Sequence, residues 1–475
     1  KVQQIEDDGG LNLSTTYRYT PNGMLDTVTD PTQVVTRYRY DALKRRISML
    51  LDEGGVNLRT RYRYSADGKT IFITSPRDVV TVVQRNALDR VSSRRHDADG
   101  ENLSTAYRYD ASGRLDSVTD PRGTVTRYEY DEHNRLNALH EDAGGLDLVT
   151  GYGYDRLNRV ITITDPKGIV HHTDYHAFGD PRYAIEDWHG LAVRTDFTHD
   201  ALGNLRSLTD ANGHSTQYEY DAGNQLTRIR FADRRTVSQT STSLGAVDRR
   251  TDQAGRTIEH EYDDLGRLTG KTFPGGSQRF TYDRRHRLKS ASQTMNGHTT
   301  GVAFEYDALG SVIESTQRLD GRTWTTTYHY DYPNGTVTIL YPSQVQVVTE
   351  LDHLGRLSAL RQDGTLLSGF RYDHSAGTIT QAHGNSLYSQ IETDALWQVT
   401  YVSSTLATSR SGYDRNGNRT FLQRAHQSDA PYEVYQYDSL NQLTEVWYGA
   451  DADDPNNLTD YERHQAYDLD PLGNR

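Results

Sequence analysis

A Tyr-Asp pair followed by two variable residues, then Gly, Arg or Asn, and then an apolar residue recurs from one end of this chain to the other. Clear copies begin at Tyr109-Asp110 (YDASGRL), Tyr130-Asp131 (YDEHNRL), Tyr154-Asp155 (YDRLNRV), Tyr220-Asp221, Tyr262-Asp263 (YDDLGRL), Tyr306-Asp307 (YDALGSV), Tyr413-Asp414 and Tyr437-Asp438 (YDSLNQL). Degenerate copies fill the gaps, such as RNALDRV from Arg85, YHAFGDP from Tyr175 and LDHLGRL from Leu351. The aspartate place of successive units falls at Thr20, Asp41, Ser65, Asn86, Asp110, Asp131, Asp155, His176 and Asp200, so the interval alternates between 21 and 24 residues. Beyond Asp200 it runs irregularly through 20, 21 and 24 to a last step of 30 at Asp468, giving 21 registers in all. A chain of 475 residues is long enough for several domains, but self-similarity at a fixed period overrides length as a guide. The expected organisation is a single continuous repeat region over residues 1–475.

The two interval lengths have a local cause. Short units carry Asp-Pro-x-Gly or a variant between signatures, as in Asp120-Pro121-Arg122-Gly123, Asp165-Pro166-Lys167-Gly168 and Asp210-Ala211-Asn212-Gly213. Asp at the first place, Pro at the second and Gly at the fourth suit a type I turn. Long units hold a roomier glycine loop there: Asp52-Glu53-Gly54-Gly55, Asp99-Gly100, Gly144-Gly145 and His189-Gly190. The signature also reads as a turn, with the Asp110 carboxylate placed to bond backbone N–H groups and Gly113 free to take a positive φ and close a bulged hairpin. Each unit is then two turns and two strands.

Tyrosines at alternate positions, as in Tyr17/Tyr19, Tyr62/Tyr64, Tyr107/Tyr109, Tyr128/Tyr130 and Tyr435/Tyr437, give a strand with one aromatic and one polar face. No stretch has a helical period. About forty strands of seven or eight residues, each about 25 Å long, follow from these units. An open twisted sheet rarely exceeds about ten strands without curling, so the ribbon must coil. A spiral sheet is the predicted fold class, all-β; blades of a β-propeller are the alternative. The loss of strict alternation after residue 200 favours the spiral.

Hydrophobic residues make up only 34% of the chain, yet it holds 33 tyrosines beside 9 phenylalanines and 4 tryptophans. Tyrosine supplies apolar area with a polar tip, which suits a wall one sheet thick rather than a deep core. Sixty-five acidic against 52 basic residues leave a formal charge of −13, and the basic residues are scattered, which argues against nucleic acid as a partner. There are no cysteines, excluding disulfides, thiolate metal sites and a cysteine nucleophile, and this composition fits a bacterial protein. No apolar run reaches the roughly 18 residues of a membrane helix, and no secretion signal opens the chain. It starts at Lys1 rather than Met and stops at Arg475 inside a signature, so a piece of a longer protein is expected.

Chemistry-bearing groups are few. Paired aspartates could serve as a glycosidase acid and base, but most stand at the first place of a repeat turn, where structure already accounts for them. His171, His172, Asp174 and His176 form the one dense group of metal-ligand types. On a strand, His172, Asp174 and His176 share a face suited to a divalent ion; the alternative is that they fill polar and tyrosine places of a degenerate repeat. The run Asp451-Ala452-Asp453-Asp454-Pro455-Asn456-Asn457 opens like a calcium loop but lacks the glycine and distal glutamate of one, and reads better as a hairpin tip. No nucleophile elbow, phosphate loop, zinc-protease or dinucleotide motif occurs. No catalytic residue, metal or cofactor is therefore assigned.

The strings YRYDALKRR, YRYDASGRLDSVTDPRGTVTRYEYDEHNRL and YDDLGRLTGKTFPGG closely resemble the YD repeats of bacterial Rhs proteins, of the B and C components of insecticidal Tc toxin complexes, of wall-associated toxins and, more distantly, of teneurins. The resemblance spans essentially the whole chain, because signature, Asp-Pro-x-Gly turn and spacing recur together. It implies a spiral sheet wound into a hollow shell that encloses a C-terminal toxin domain until delivery by a secretion machinery, hence a secreted or cell-surface protein. Relatives that release their cargo by self-cleavage use an aspartate-containing core segment after the last repeats, and no copy of it is read here. Two function classes follow: a passive container for a toxin cargo, or a surface module that binds a glycan or a protein.

Overall fold

The computed structural model describes residues 2–6, 13–425, 432–450, 458 and 461–470. Among them 42 strands, β1 (Val2–Glu6) to β42 (Arg463–Ala466), form one antiparallel sheet that does not close into a barrel, and there is no helix. Strand follows strand in the sheet in chain order: β2 (Leu13–Tyr19) pairs with β3 (Leu25–Thr29), β3 with β4 (Val35–Tyr40), β4 with β5 (Arg46–Leu51) and β5 with β6 (Leu58–Tyr64). Pairing continues through the intervals at which separate four-stranded blades would have to break, which corrects the propeller alternative. The strands are mostly five to seven residues long, shorter than the expected seven or eight, because each signature turn takes five residues out of the strand pair.

That turn has one geometry throughout the regular units. At Asp110 the backbone N–H donates to Arg114 O (2.9 Å) and the Gly113 N–H returns to Asp110 O (3.0 Å), while Gly113 sits at φ 90°, a region that a side chain resists. The register slips by one residue between Arg108 and Tyr109, the bulge such a loop imposes. The Asp-Pro-x-Gly turns copy it: Asp120 N–H to Thr124 O at 2.9 Å and Gly123 N–H to Asp120 O at 3.0 Å. In the long units a different loop forms. Asp97 takes φ 52°, its Oδ2 accepts the Glu101 N–H at 2.6 Å, and a Cβ on Gly100 would stand 2.3 Å from that oxygen. Here glycine is needed for close approach.

After Asp221 the rhythm changes for two reasons. Short turns at Phe231 and Asp252 follow one another with no glycine loop between them, and the strands around them keep five or six residues. Further on, the additional residues of the 24-residue units go into strand rather than loop: β28 (His298–Tyr306), β29 (Val312–Leu319) and β30 (Arg322–Asp331) have 9, 8 and 10 residues. Two-residue turns lead into β28 at Asn296-Gly297 and join β29 to β30 at Asp320-Gly321, with φ 49°, 86°, 45° and 82°, the paired positive angles of a type I′ hairpin.

Among the described residues no large side chain is fully buried. Along β12 (Val125–Tyr130) Tyr128 and Tyr130 are half-buried and Glu129 between them is exposed, the alternation expected of a single-layer wall. One small apolar cluster, Val434, Trp447 and Ala450 with Phe421, Tyr432 and Leu458 against it, lies near the C-terminal end. By contact density the chain divides into two compact units, residues 1–104 with 220–228 and 236–368, and residues 105–219 with 229–235 and 369–475.

Candidate functional site

The signature builds a ladder, and Arg135 shows how one rung works. Asp131 Oδ1 accepts the N–H groups of His133 and Arg135, both at 2.9 Å, and its Oδ2 accepts Arg135 Nε at 2.7 Å. The guanidinium lies 4.5 Å over the ring of Tyr154 in the next unit and donates through Nη1 to Asp155 O (3.1 Å) and Asn158 Oδ1 (2.9 Å). Tyr154 in turn donates its hydroxyl to Leu136 O at 2.7 Å. Each signature thus ties its own turn, the next tyrosine and the next turn together.

The same arrangement recurs. Arg114 over Tyr130 (4.6 Å), Arg267 over Tyr282 (4.9 Å) and Arg287 over Tyr306 (4.3 Å) repeat the stacking; Tyr130, Tyr262 and Tyr306 donate to Leu115, Val247 and Leu288 carbonyls. Asp110, Asp221, Asp263, Asp307 and Asp438 all accept from the backbone N–H four residues on, at 2.8 to 2.9 Å. The Arg135 N–H and guanidinium hold the Asp131 carboxyl below the usual range. For Asp263, burial opposes ionisation, but the Arg267 guanidinium and N–H prevail and the carboxyl is again lowered. Asp131 and Asp263 are therefore held as anions, and the repeat aspartates as a set are committed to turns. The bridging arginine four places after the aspartate was not singled out from the sequence, although its recurrence at Arg114, Arg135, Arg159, Arg267 and Arg287 was the available signal.

A second set of contacts joins turns far apart in the chain. In the first unit Arg77, in the turn from Ser75, donates to the carbonyls of Leu351 and Asp352, 274 and 275 residues on; Asp97 Oδ2 meets His353 Nε2 at 2.7 Å; Arg356 pairs with Glu101 and Arg285 with Asp30. In the second unit Arg122 donates to Asp394 O at 2.5 Å and lies 4.8 Å over Trp397. Lys167 reaches Asp414 at 3.4 Å, Asn416 donates to Asp165 at 2.6 Å and Ser439 to Asp187 at 2.5 Å. Within each unit an early Asp-Pro-type turn or glycine loop therefore docks on a signature turn of a later winding. The Ser439 hydroxyl and the Leu191 N–H hold the buried Asp187 carboxyl below its ordinary range.

The histidine group is not gathered into a ligand set. His172 stacks on Trp188 at 4.0 Å, Asp174 pairs with Arg182 at 2.6 Å, and His176 occupies the first place of a signature turn, its N–H on Asp180 O at 2.8 Å. Among the described residues no group of three His, Asp or Glu is arranged to hold a metal ion. The Asp451–Asn457 run lies outside the described residues. Among these, no helix is long and apolar enough to cross a membrane.

The RHS Repeat family matches residues 85–124, 109–147, 199–236 and 262–300. No curated protein sequence matches the chain significantly. The fold is similar to that in the crystal structure of TcdB2-TccC3 (TM-score 0.60, 15% identity, 92% of this chain and 29% of that one) and of TcdB2-TccC3 without its hypervariable C-terminal region (0.61, 13%, 94% and 31%). The TcdB2-TccC3-Cdc42 structure is similar too (0.56, 13%, 93% and 31%). The chain spans less than a third of the length of these chains. Repeat matches, signature ladder and shared fold together make it a member of the YD/Rhs-repeat family.

Proposed function

We propose that this chain is a non-catalytic wall segment of a bacterial toxin shell, whose repeats work as one continuous ribbon that encloses and carries a C-terminal toxin cargo to its point of secretion. The observation that carries this reading is the turn-to-turn docking within each unit, from Arg122 to Asp394 and from Asp97 to His353. Successive windings locked at their edges make an uninterrupted wall one sheet thick. The aspartates that might have served catalysis are engaged in turns, and the fold shared with TcdB2-TccC3, which has a hypervariable C-terminal region, supports a polypeptide cargo downstream. The test is limited proteolysis of the natural polypeptide together with its C-terminal region. The cargo should survive a protease dose that digests the isolated cargo and become sensitive once the shell is unfolded; equal sensitivity in both settings would overturn the reading.

One observation favours glycan binding as a second role. In the first unit an open groove of about 600 Å³ is lined by Gln278, Phe280, Gln293, Gln317, Arg318 and Trp324, a combination of aromatic faces and amides suited to a sugar ring. A glycan array with the wild type and Trp324→Ala decides it: a bound glycan lost in the variant supports the site, and no bound glycan removes it.

A further inference from the structure

Arginines that lie apart in the early sequence of the first unit are gathered by the strand register. On the sheet face opposite the tyrosines, Arg18, Thr27, Arg37, Leu50 and Arg59 stand opposite one another in turn across β2 to β6. Beside that row Arg39 faces Ser48, which faces Arg61. A third row runs from Arg63 through Phe72 and Val82 to Arg95, across β6, β7 (Thr70–Thr74), β8 (Val80–Arg85) and β9 (Val91–His96). Arginines so placed repeat about 10 Å apart across the sheet and about 7 Å apart along a strand. Arg18, Arg39, Arg59, Arg61 and Arg63 are exposed. Arg37 pairs with Glu53 at 2.6 Å and Arg61 with Asp78 at 2.7 Å, but among the described residues no carboxylate pairs with Arg18, Arg39, Arg59, Arg63 or Arg95. Between the arginines the surface sinks into a depression of about 570 Å³, lined by Arg61, Arg63 and Arg95 with half-buried Phe72 and buried Val82. The patch is local: the place before the signature tyrosine, basic at Arg18, Arg39 and Arg63, is acidic at Glu129, Glu219, Glu261 and Glu305.

We propose that this arginine face binds an acidic polypeptide segment in extended form, with carboxylates on alternate residues. In an extended chain, side chains two residues apart point the same way about 7 Å apart, which is the spacing of Arg59, Arg61 and Arg63 along β6. Every cation in the three rows is arginine, whose planar fork matches a carboxylate as a lysine does not. The face already holds carboxylates in this way. Arg37 donates Nε to Glu53 Oε1 at 2.6 Å, and against burial it holds that carboxyl below the usual range, with Arg39 and Arg59 adding to the effect. The Arg61–Asp78 pair, with side chains 59% and 78% exposed, is of the weak kind that an incoming carboxylate displaces. In the depression, Phe72 and Val82 offer an apolar floor to the stem of a glutamate. A uniformly charged polymer such as nucleic acid fits less well. Asp26, Glu53, Asp78 and Asp99 stand among the arginines, and a long phosphate chain would run on to a wall whose formal charge is −13. The binding face is independent of what the ribbon encloses.

The probe is a fluorescent peptide of about twelve residues in which Glu and Thr alternate, titrated with the 475-residue chain and followed by anisotropy. Wild type is compared with Arg59→Ser/Arg61→Ser/Arg63→Ser and with Arg206→Ser/Arg230→Ser/Arg249→Ser, which removes the same charge from exposed arginines elsewhere. Binding should weaken by about tenfold or more in the first variant and by less than about twofold in the second, and should fall as sodium chloride rises from about 0.05 to 0.5 M. Arg59→Lys/Arg61→Lys/Arg63→Lys keeps the charge and the strand but loses the fork, so it should weaken binding by about threefold or more; its strand signal by circular dichroism should match wild type. No saturable binding of the peptide, an equal loss in both serine variants, or full binding by the lysine variant overturns the proposal. Tighter binding of an oligothymidine or a sulfated dextran of matched charge overturns the polypeptide as occupant.

Discussion

Asp, Arg and Tyr divide the work of the signature. The aspartate satisfies turn N–H groups with one oxygen and an arginine with the other; the arginine spends its remaining donors and its flat face on the next unit; the tyrosine uses its ring beneath that arginine and its hydroxyl on a carbonyl. Removing the hydroxyl alone isolates one link. Tyr154→Phe keeps the ring under Arg135 but leaves Leu136 O without its 2.7 Å partner, and should cost about 1 kcal/mol, read as a shift of the urea midpoint with unchanged slope. The carboxylates also set the acid limit. In Asp283 and Asp352 burial opposes ionisation, but the Arg287 and Arg356 N–H groups and guanidiniums hold both carboxyls below the usual range. With folded values below an unfolded value of about 3.9, the unfolded chain binds more protons in that window. The stabilisation is therefore complete above about pH 5 and lost as pH falls through about 4 and below. Thermal unfolding between pH 7 and 3 should show a flat melting temperature that drops steeply below about pH 4; a constant value throughout would remove the carboxylates from the account.

The hairpin is the unit at the next scale, and its two kinds of loop fail differently. Gly113, at φ 90°, tolerates no β-branched residue, so Gly113→Val should cost about 1–3 kcal/mol and loosen one register. Gly100→Ala acts through crowding instead: the new methyl falls on the Asp97 carboxylate, 2.3 Å away, which holds both the Glu101 N–H and His353. Hydrogen exchange should therefore rise at residues 351–357 as well as at 97–103 in Gly100→Ala, whereas Gly113→Val should affect only its own hairpin and immediate neighbours. The alternating tyrosines, the Asp-Pro-x-Gly turns and the all-β class were legible in the sequence because each depends on residues within one unit. The lengthening of β28 to β30 was missed because Asn296-Gly297 and Asp320-Gly321, ordinary type I′ signals, stand where the earlier units place a glycine loop.

Across a whole winding, the docked turns decide what the ribbon can do. They are polar and small in number, so each should matter locally. Arg122→Ala removes the donors to Thr393 O and Asp394 O and the cation over Trp397. Exchange protection should fall around residues 388–404, with residues 105–119 unaffected; protection lost evenly across the second unit would mean instead that the winding unfolds as one body.

The sequence by itself determined the hairpin, its two turn chemistries, the strand count near forty and the family, since turns and strand alternation are set by residues a few places apart. Which arginine reaches which tyrosine depends on a register between neighbouring units, and which turn docks on which depends on how far the ribbon travels before it returns. Those contacts lie 247 to 275 residues apart and leave no period in the chain, because an arginine or histidine at a turn reads alike whether it meets water or another winding. Tertiary structure alone decided that Leu440 is half-buried and Leu157 is exposed.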